Sequence, residues 1–160
     1  MRRKDSAYSD VLAFLERVED PKRAKMNRRK AVSAQVVVSL RRRFPGIPDE
    51  YIAYLREVGW GSFRECQFMV YSDPGTPDEI LGEGVFYWLS KKTRVLCFGD
   101  NFSGDLSGFL PDKKWAVVEL WHDSREIYRV KKPFGEYIRD RMVMGPKGED
   151  RRVRRTGGVA

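Results

Sequence analysis

From Ser6 to Val18 the apolar residues Tyr8, Val11, Leu12, Leu15 and Val18 recur at the spacing of one helix face, with Asp5 or Ser6 as the cap. Residues 19–30 are dense in charge, contain Pro21 and read as a linker. A second helix is expected over Ala31 to Arg43, with Val32, Val36, Val37 and Leu40 on one face. Arg41, Arg42 and Arg43 then fall in its last turn, where cations suit the helix dipole. The clearest local pattern follows Pro45-Gly46: Pro48 opens a helix, Asp49 and Glu50 occupy its first turn, and Tyr51, Ile52, Leu55 and Val58 form its apolar face. Gly59 supplies the stop.

Beyond Gly59 the period shortens to two. Strands are expected at Cys66 to Tyr71, Val85 to Leu89, Arg94 to Phe98, Leu106 to Leu110, Trp115 to Trp121 and Glu126 to Val130. Asp73-Pro74-Gly75 reads as a turn, and residues 77–81 as a single helical turn. Helical spacing returns from Pro133 to Met142 through Phe134, Ile138 and Met142. The order predicts an α+β fold, with N-terminal helices packed on an antiparallel sheet of about five or six short strands and a closing C-terminal helix. Residues 1–30 are expected to form a basic extension, 31–143 the domain, and 144–160 a disordered basic tail.

The chain has 160 residues, 41% of them hydrophobic, which suits one domain. Its net charge of +8 invites a nucleic-acid reading until it is divided by position. Residues 1–30 and 143–160 carry all of the excess, and the block between them is neutral. No stretch approaches the roughly 18 apolar residues of a membrane span. The apolar patch Val11 to Leu15 is too short for a signal-peptide core, so a cytoplasmic protein is expected. Cys66 and Cys97 match no metal spacing and read as buried small hydrophobes.

Catalytic patterns are missing from the residues. His122 is the only histidine, which excludes multi-histidine metal sites; it reads as a strand-end residue bonding its turn. There is no nucleophile-elbow Gly-x-Ser-x-Gly to pair with it. Asp100, Asp105, Asp112 and Glu119 lack calcium-loop spacing, and the glycines of 59–61 and 82–84 are not followed by Gly-Lys-Ser/Thr. No enzyme, metal or cofactor is expected. Binding has better material in Trp60, Trp115 and Trp121, side chains of the type that anchors interfaces. Glu119 lies between two tryptophans on one strand face, so it either recognises a partner or pairs with a cation such as Arg129. Arg28, Arg29, Lys30, Arg151, Arg152, Arg154 and Arg155 are the residues that would contact nucleic acid or an acidic partner. No aromatics interleave these arginines, which favours solvated arms.

Three blocks in this order resemble the SUKH superfamily, also called the Smi/Knr family. They are Ile47-Pro-Asp-Glu-Tyr-Ile-Ala-Tyr-Leu-Arg-Glu-Val-Gly59, Phe98-Gly-Asp-Asn-Phe-Ser-Gly-Asp105, and Trp115 through Trp121-His-Asp123 to Pro133-Phe-Gly-Glu-Tyr-Ile138. The resemblance spans roughly residues 32–142. It departs at Val58, where the family often carries Asn, and leaves residues 1–30 without a counterpart. It implies a non-catalytic binding module: an immunity protein that occludes a cognate toxin, or else a scaffold or regulatory hub. Nucleic-acid binding through the arms is a further alternative. Partner contacts are then expected at Trp60, Asp100, Asp105, Asp112, Glu119 and Trp121.

Overall fold

A computed structural model describes residues 6–152. These residues form five α-helices: α1 (Ser9–Val18), α2 (Ala34–Arg43), α3 (Asp49–Glu57), α4 (Pro77–Leu81) and α5 (Phe134–Arg141). Seven strands, β1 (Arg29–Lys30), β2 (Trp60–Phe63), β3 (Phe68–Gly75), β4 (Leu96–Asp100), β5 (Leu106–Leu110), β6 (Ala116–Trp121) and β7 (Glu126–Arg129), form one antiparallel sheet in chain order. The α+β class follows. Two of the seven, β1 and β2, were not expected, because the period-two pattern did not separate them from their surroundings.

Helices α1, α2, α3 and α5 cover one face of the sheet. Tyr51 of α3 is fully buried there, with its ring 5.6 Å from Phe109, 5.4 Å from Phe134 and 6.1 Å from Phe98. Edge-to-face aromatic pairs of this kind add about 0.5–1.5 kcal/mol each beyond the area they bury. The Tyr51 hydroxyl donates to the carbonyl of Tyr71, 2.7 Å away, tying the helix layer to β3. Gly59 ends the layer at φ +102°, where a Cβ would sit 2.6 Å from the carbonyl carbon of Lys30. That close approach lets β1 and the segment after it run past the start of β2.

The opposite face carries a smaller cluster of Phe86, Val95, Cys97, Leu106, Val118 and Leu120, flanked by Ile80, Trp88 and Leu89. The expected strand Val85 to Leu89 is not formed. Its residues are turns that lay Phe86 on the sheet and leave Tyr87 exposed, because this run covers strands instead of pairing with one. Asp73-Pro74-Gly75 is not a turn either: it continues β3 through a register shift between Val70 and Gly75. Cys66 lies before β3, in a turn where Arg64, Glu65 and Cys66 all have positive φ.

Both ends of the described chain belong to the fold. Tyr8, Val11, Phe14 and Leu15 are buried in the main core, so α1 is part of the domain. The supposed linker is a 3-10 stretch, Pro21–Met26, followed by β1, which pairs with β2. Residues 144–152 were expected to begin a disordered tail. Instead Met144 is buried and bridges to Asp150, and Asp150 grips the buried Arg64 guanidinium through bonds of 2.8 and 2.9 Å. The reason is electrostatic: a buried guanidinium needs a counter-charge, and Asp150 is the one that reaches it.

Candidate functional site

The turn after β4 is built by its own polar side chains. One oxygen of Asp100 accepts the Phe102 N–H at 2.7 Å, and the other accepts the Tyr71 hydroxyl at 2.6 Å. Burial and this bond to Asp100 hold the Tyr71 phenol well above its ordinary pKa, so it stays a donor. Asn101 Oδ1 accepts the N–H groups of Ser103 and Asp105 at 2.9 and 3.2 Å. These are the side-chain-to-backbone bonds that favour Asp and Asn in turns. Their result is a fixed loop with Phe102 at φ +61° and half exposed.

Asp105 then joins this turn to the one between β6 and β7. Its Oδ1 lies 3.0 Å from the His122 backbone nitrogen and 2.6 Å from His122 Nδ1, and Asn101 Nδ2 is 3.3 Å from its other oxygen. His122 Nε2 lies 3.0 Å from Asp123. The bond to Asp105, with Asp123 adding to it, raises the imidazole above its ordinary 6.5. Partial burial pushes the Asp105 carboxyl up, but the bonds from the His122 backbone and ring outweigh it and hold the group below 3.8. At Gly104, φ is +98°, and a Cβ would lie 3.1 Å from His122 Nδ1, a tight contact to which the ring would have to yield.

This end of the sheet therefore presents Phe102 among Asp100, Asp105, Asp123 and Glu126, with Arg125 as its permanent cation. Trp121 adjoins it, stacked on Tyr128 at 5.1 Å and 13°. The opposite end of β5, β6 and β7 has the reverse character. Lys113 and Lys114 lie with Asp112 in the connection from β5 to β6, Arg129 ends β7, and Lys131 and Lys132 follow it, Lys132 paired with Asp140. A groove of about 480 Å³ there is lined by Ala116, Val117, Arg129, Lys131, Lys132 and Pro133. This side of the sheet, β5 to β7, is thus dipolar.

The residues singled out for partner contacts do not form one site. Asp100, Asp105 and Trp121 share the acidic end. Asp112 lies at the other end of β5, in the short 3-10 stretch Pro111–Lys113. Glu119 pairs with a cation, but with Arg141 and not Arg129: it accepts the Tyr137 hydroxyl at 2.9 Å and lies 3.4 Å from Arg141, both on the α5 side. The alternation put Glu119 on the right face, but α5 covers that face. Trp60 is half-buried and lines a separate groove of about 500 Å³ with Val32, Val36 and Leu40.

Among the basic candidates, Arg29 is bound to Glu19 by two bonds of 2.6 and 2.8 Å and to the Ser62 carbonyl. Its sequence neighbours Arg28 and Lys30 are exposed. Arg151 lines a groove against α1 and α5, and the Arg152 N–H caps Asp150 at 2.9 Å. Arg154 and Arg155 lie outside the described residues. Phe102 and Asp123 were not among the expected contacts. The signal for Phe102 was its place between Asn and Ser in a Gly-Asp turn, where a large aromatic has no core to enter.

No protein family, characterised protein or solved structure matches the chain. No helix of the described residues is long and apolar enough to cross a membrane. Both cysteines are free, with Cys97 buried and Cys66 partly exposed.

Proposed function

We propose that this chain is a non-catalytic immunity protein of the SUKH-like kind, binding a toxin domain through the acidic end of its sheet. The observation that carries the reading is Phe102, half exposed on a turn whose backbone is held by Asp100, Asn101 and Asp105. An exposed aromatic on a rigid support is the usual form of an interface anchor, because little side-chain entropy is lost on docking. The acids around it fit a basic partner surface, such as the phosphate-binding groove of a nuclease. The three motif blocks of the resemblance support the same reading, since the second of them is this turn.

The test is whether a toxin domain is encoded beside this gene and whether the chain protects cells from it. Co-expression of the wild-type chain rescues the cells, and Phe102→Asn does not. Asn tolerates positive φ, so this change removes the ring while sparing the turn. Equal protection by Phe102→Asn, or no toxin gene next to this one, overturns the reading.

A further inference from the structure

Strand β7 ends the sheet, and all four of its residues are exposed. The Val130 N–H bonds back to the Val117 carbonyl at 3.0 Å. By the alternation of an antiparallel ladder, Tyr128 and Glu126 also bond inward, so the N–H and C=O groups of Ile127 and Arg129 point away from the sheet. Proteins ordinarily blunt such an edge with charge, bulges or a covering loop. Here the middle of the strand carries Ile127 at 40% exposure and Tyr128 at 47%. No other described strand lies beyond it.

We infer that β7 is a docking strand for an extended acidic segment of a partner protein, added antiparallel to the sheet. The inference uses the open edge of β7 and not the Phe102 turn, shares only Arg125 and Glu126 with that end, and stands whether or not the turn binds a toxin. Charge selects the occupant. From Arg125 to Lys132 the chain has Arg125, Arg129, Lys131 and Lys132 against Glu126 alone, and of these Lys132 is paired with Asp140 at 2.5 Å. Directly opposite residues in an antiparallel pair share a face, so each position of β7 specifies its neighbour. Read along the incoming strand, acids face Lys131 and Arg129, an aromatic faces Tyr128, an aliphatic faces Ile127 and a base faces Glu126.

A second copy of this chain fits less well. A two-fold axis relating two β7 strands must set one residue against itself. With Ile127 on the axis, Arg125 meets Arg129; with Tyr128 on the axis, Ile127 meets Arg129. Neither register pairs opposite charges. Main-chain bonds at an open edge also favour an extended peptide over a nucleic-acid backbone, which cannot complete a β-ladder.

The probe is a fluorescein-labelled peptide, Gly-Glu-Thr-Glu-Tyr-Val-Lys-Gly, titrated with the full chain in a fluorescence anisotropy assay. Saturable binding is expected. Arg129→Glu should weaken it about tenfold, and a peptide carrying Lys in place of the Glu that faces residue 129 should restore it. Ile127→Pro removes an outward N–H and should abolish binding, with the circular dichroism spectrum confirming the fold. No saturable binding to the wild type, or unchanged affinity in Arg129→Glu, overturns the inference. So does concentration-dependent dimerisation lost in Ile127→Pro, which would assign the edge to a second copy. Displacement of the peptide by an oligothymidylate with the same dependence on Arg129 would assign it to phosphate and likewise overturn it.

Discussion

At one end of β5, β6 and β7, the carboxylates of Asp100 and Asp105 are committed to backbone N–H groups, a phenol and an imidazole. At the other end, Lys113, Lys114, Arg129 and Lys131 form no ion pair with any described residue. The acids at the first end shape the loops that carry them, whereas these cations shape nothing and are free to meet a partner. Opposite charges therefore have different uses. Substitution of Asp100 or Asp105 should change the fold's stability as well as its interactions, and substitution at the basic end only its interactions.

The largest expected effect is that of Asp105→Ala. It strands the His122 and Asn101 donors and unclasps two turns, and should cost about 2 kcal/mol, lowering Tm by about 4–8 °C in a calorimetric scan. Gly104→Ala should follow, at about 1 kcal/mol, from positive φ and crowding against the His122 ring.

A smaller, pH-dependent effect belongs to His122. Its raised pKa makes its contribution fully present below 6.5 and lost as pH rises through the folded value. The lowered pKa of Asp105 makes its own contribution present above 3.8 and lost as pH falls through the folded value. The clasp is strongest between those limits. The Tm difference between wild type and His122→Gln should be larger at about pH 5 than at about pH 8.5. Lys113→Glu with Lys114→Glu should leave Tm within about 1–2 °C, since exposed charges typically contribute under 0.5 kcal/mol. A fall as large as that of Asp105→Ala would break the contrast between the ends.

Much of the architecture was legible along the chain. Helix α3 lies where Pro48, Asp49, Glu50 and the Tyr51–Leu55 face placed it, with Pro48 as the cap before the first helical residue. Local chemistry sufficed there because cap, dipole and amphipathic face agree. His122 likewise bonds its turn, as a strand-end residue was expected to. What a single sequence hid were destinations. The α1 face was visible, but nothing local showed that Phe14 and Leu15 complete the main core. Aromatic Val85 to Leu89 has strand composition and no strand to pair with. Glu119 found Tyr137 and Arg141 on α5 in place of Arg129 on β7, because a face read as open is roofed by a helix 15 residues further along. The dipole was invisible to any sum of charges, since register decides which end each loop occupies.

Arg64 and Asp150 set a condition on how the protein is made. The guanidinium belongs to the hairpin of β2 and β3, and its counter-charge is 86 residues further on. During synthesis that hairpin leaves the ribosome seconds before Asp150 does. Until then it must stay open or bury an unmatched cation, which costs several kcal/mol. A chain cut short before residue 150 keeps every strand of the sheet but lacks this closing charge. The ion pair thus makes the closed fold a check that synthesis has passed residue 150.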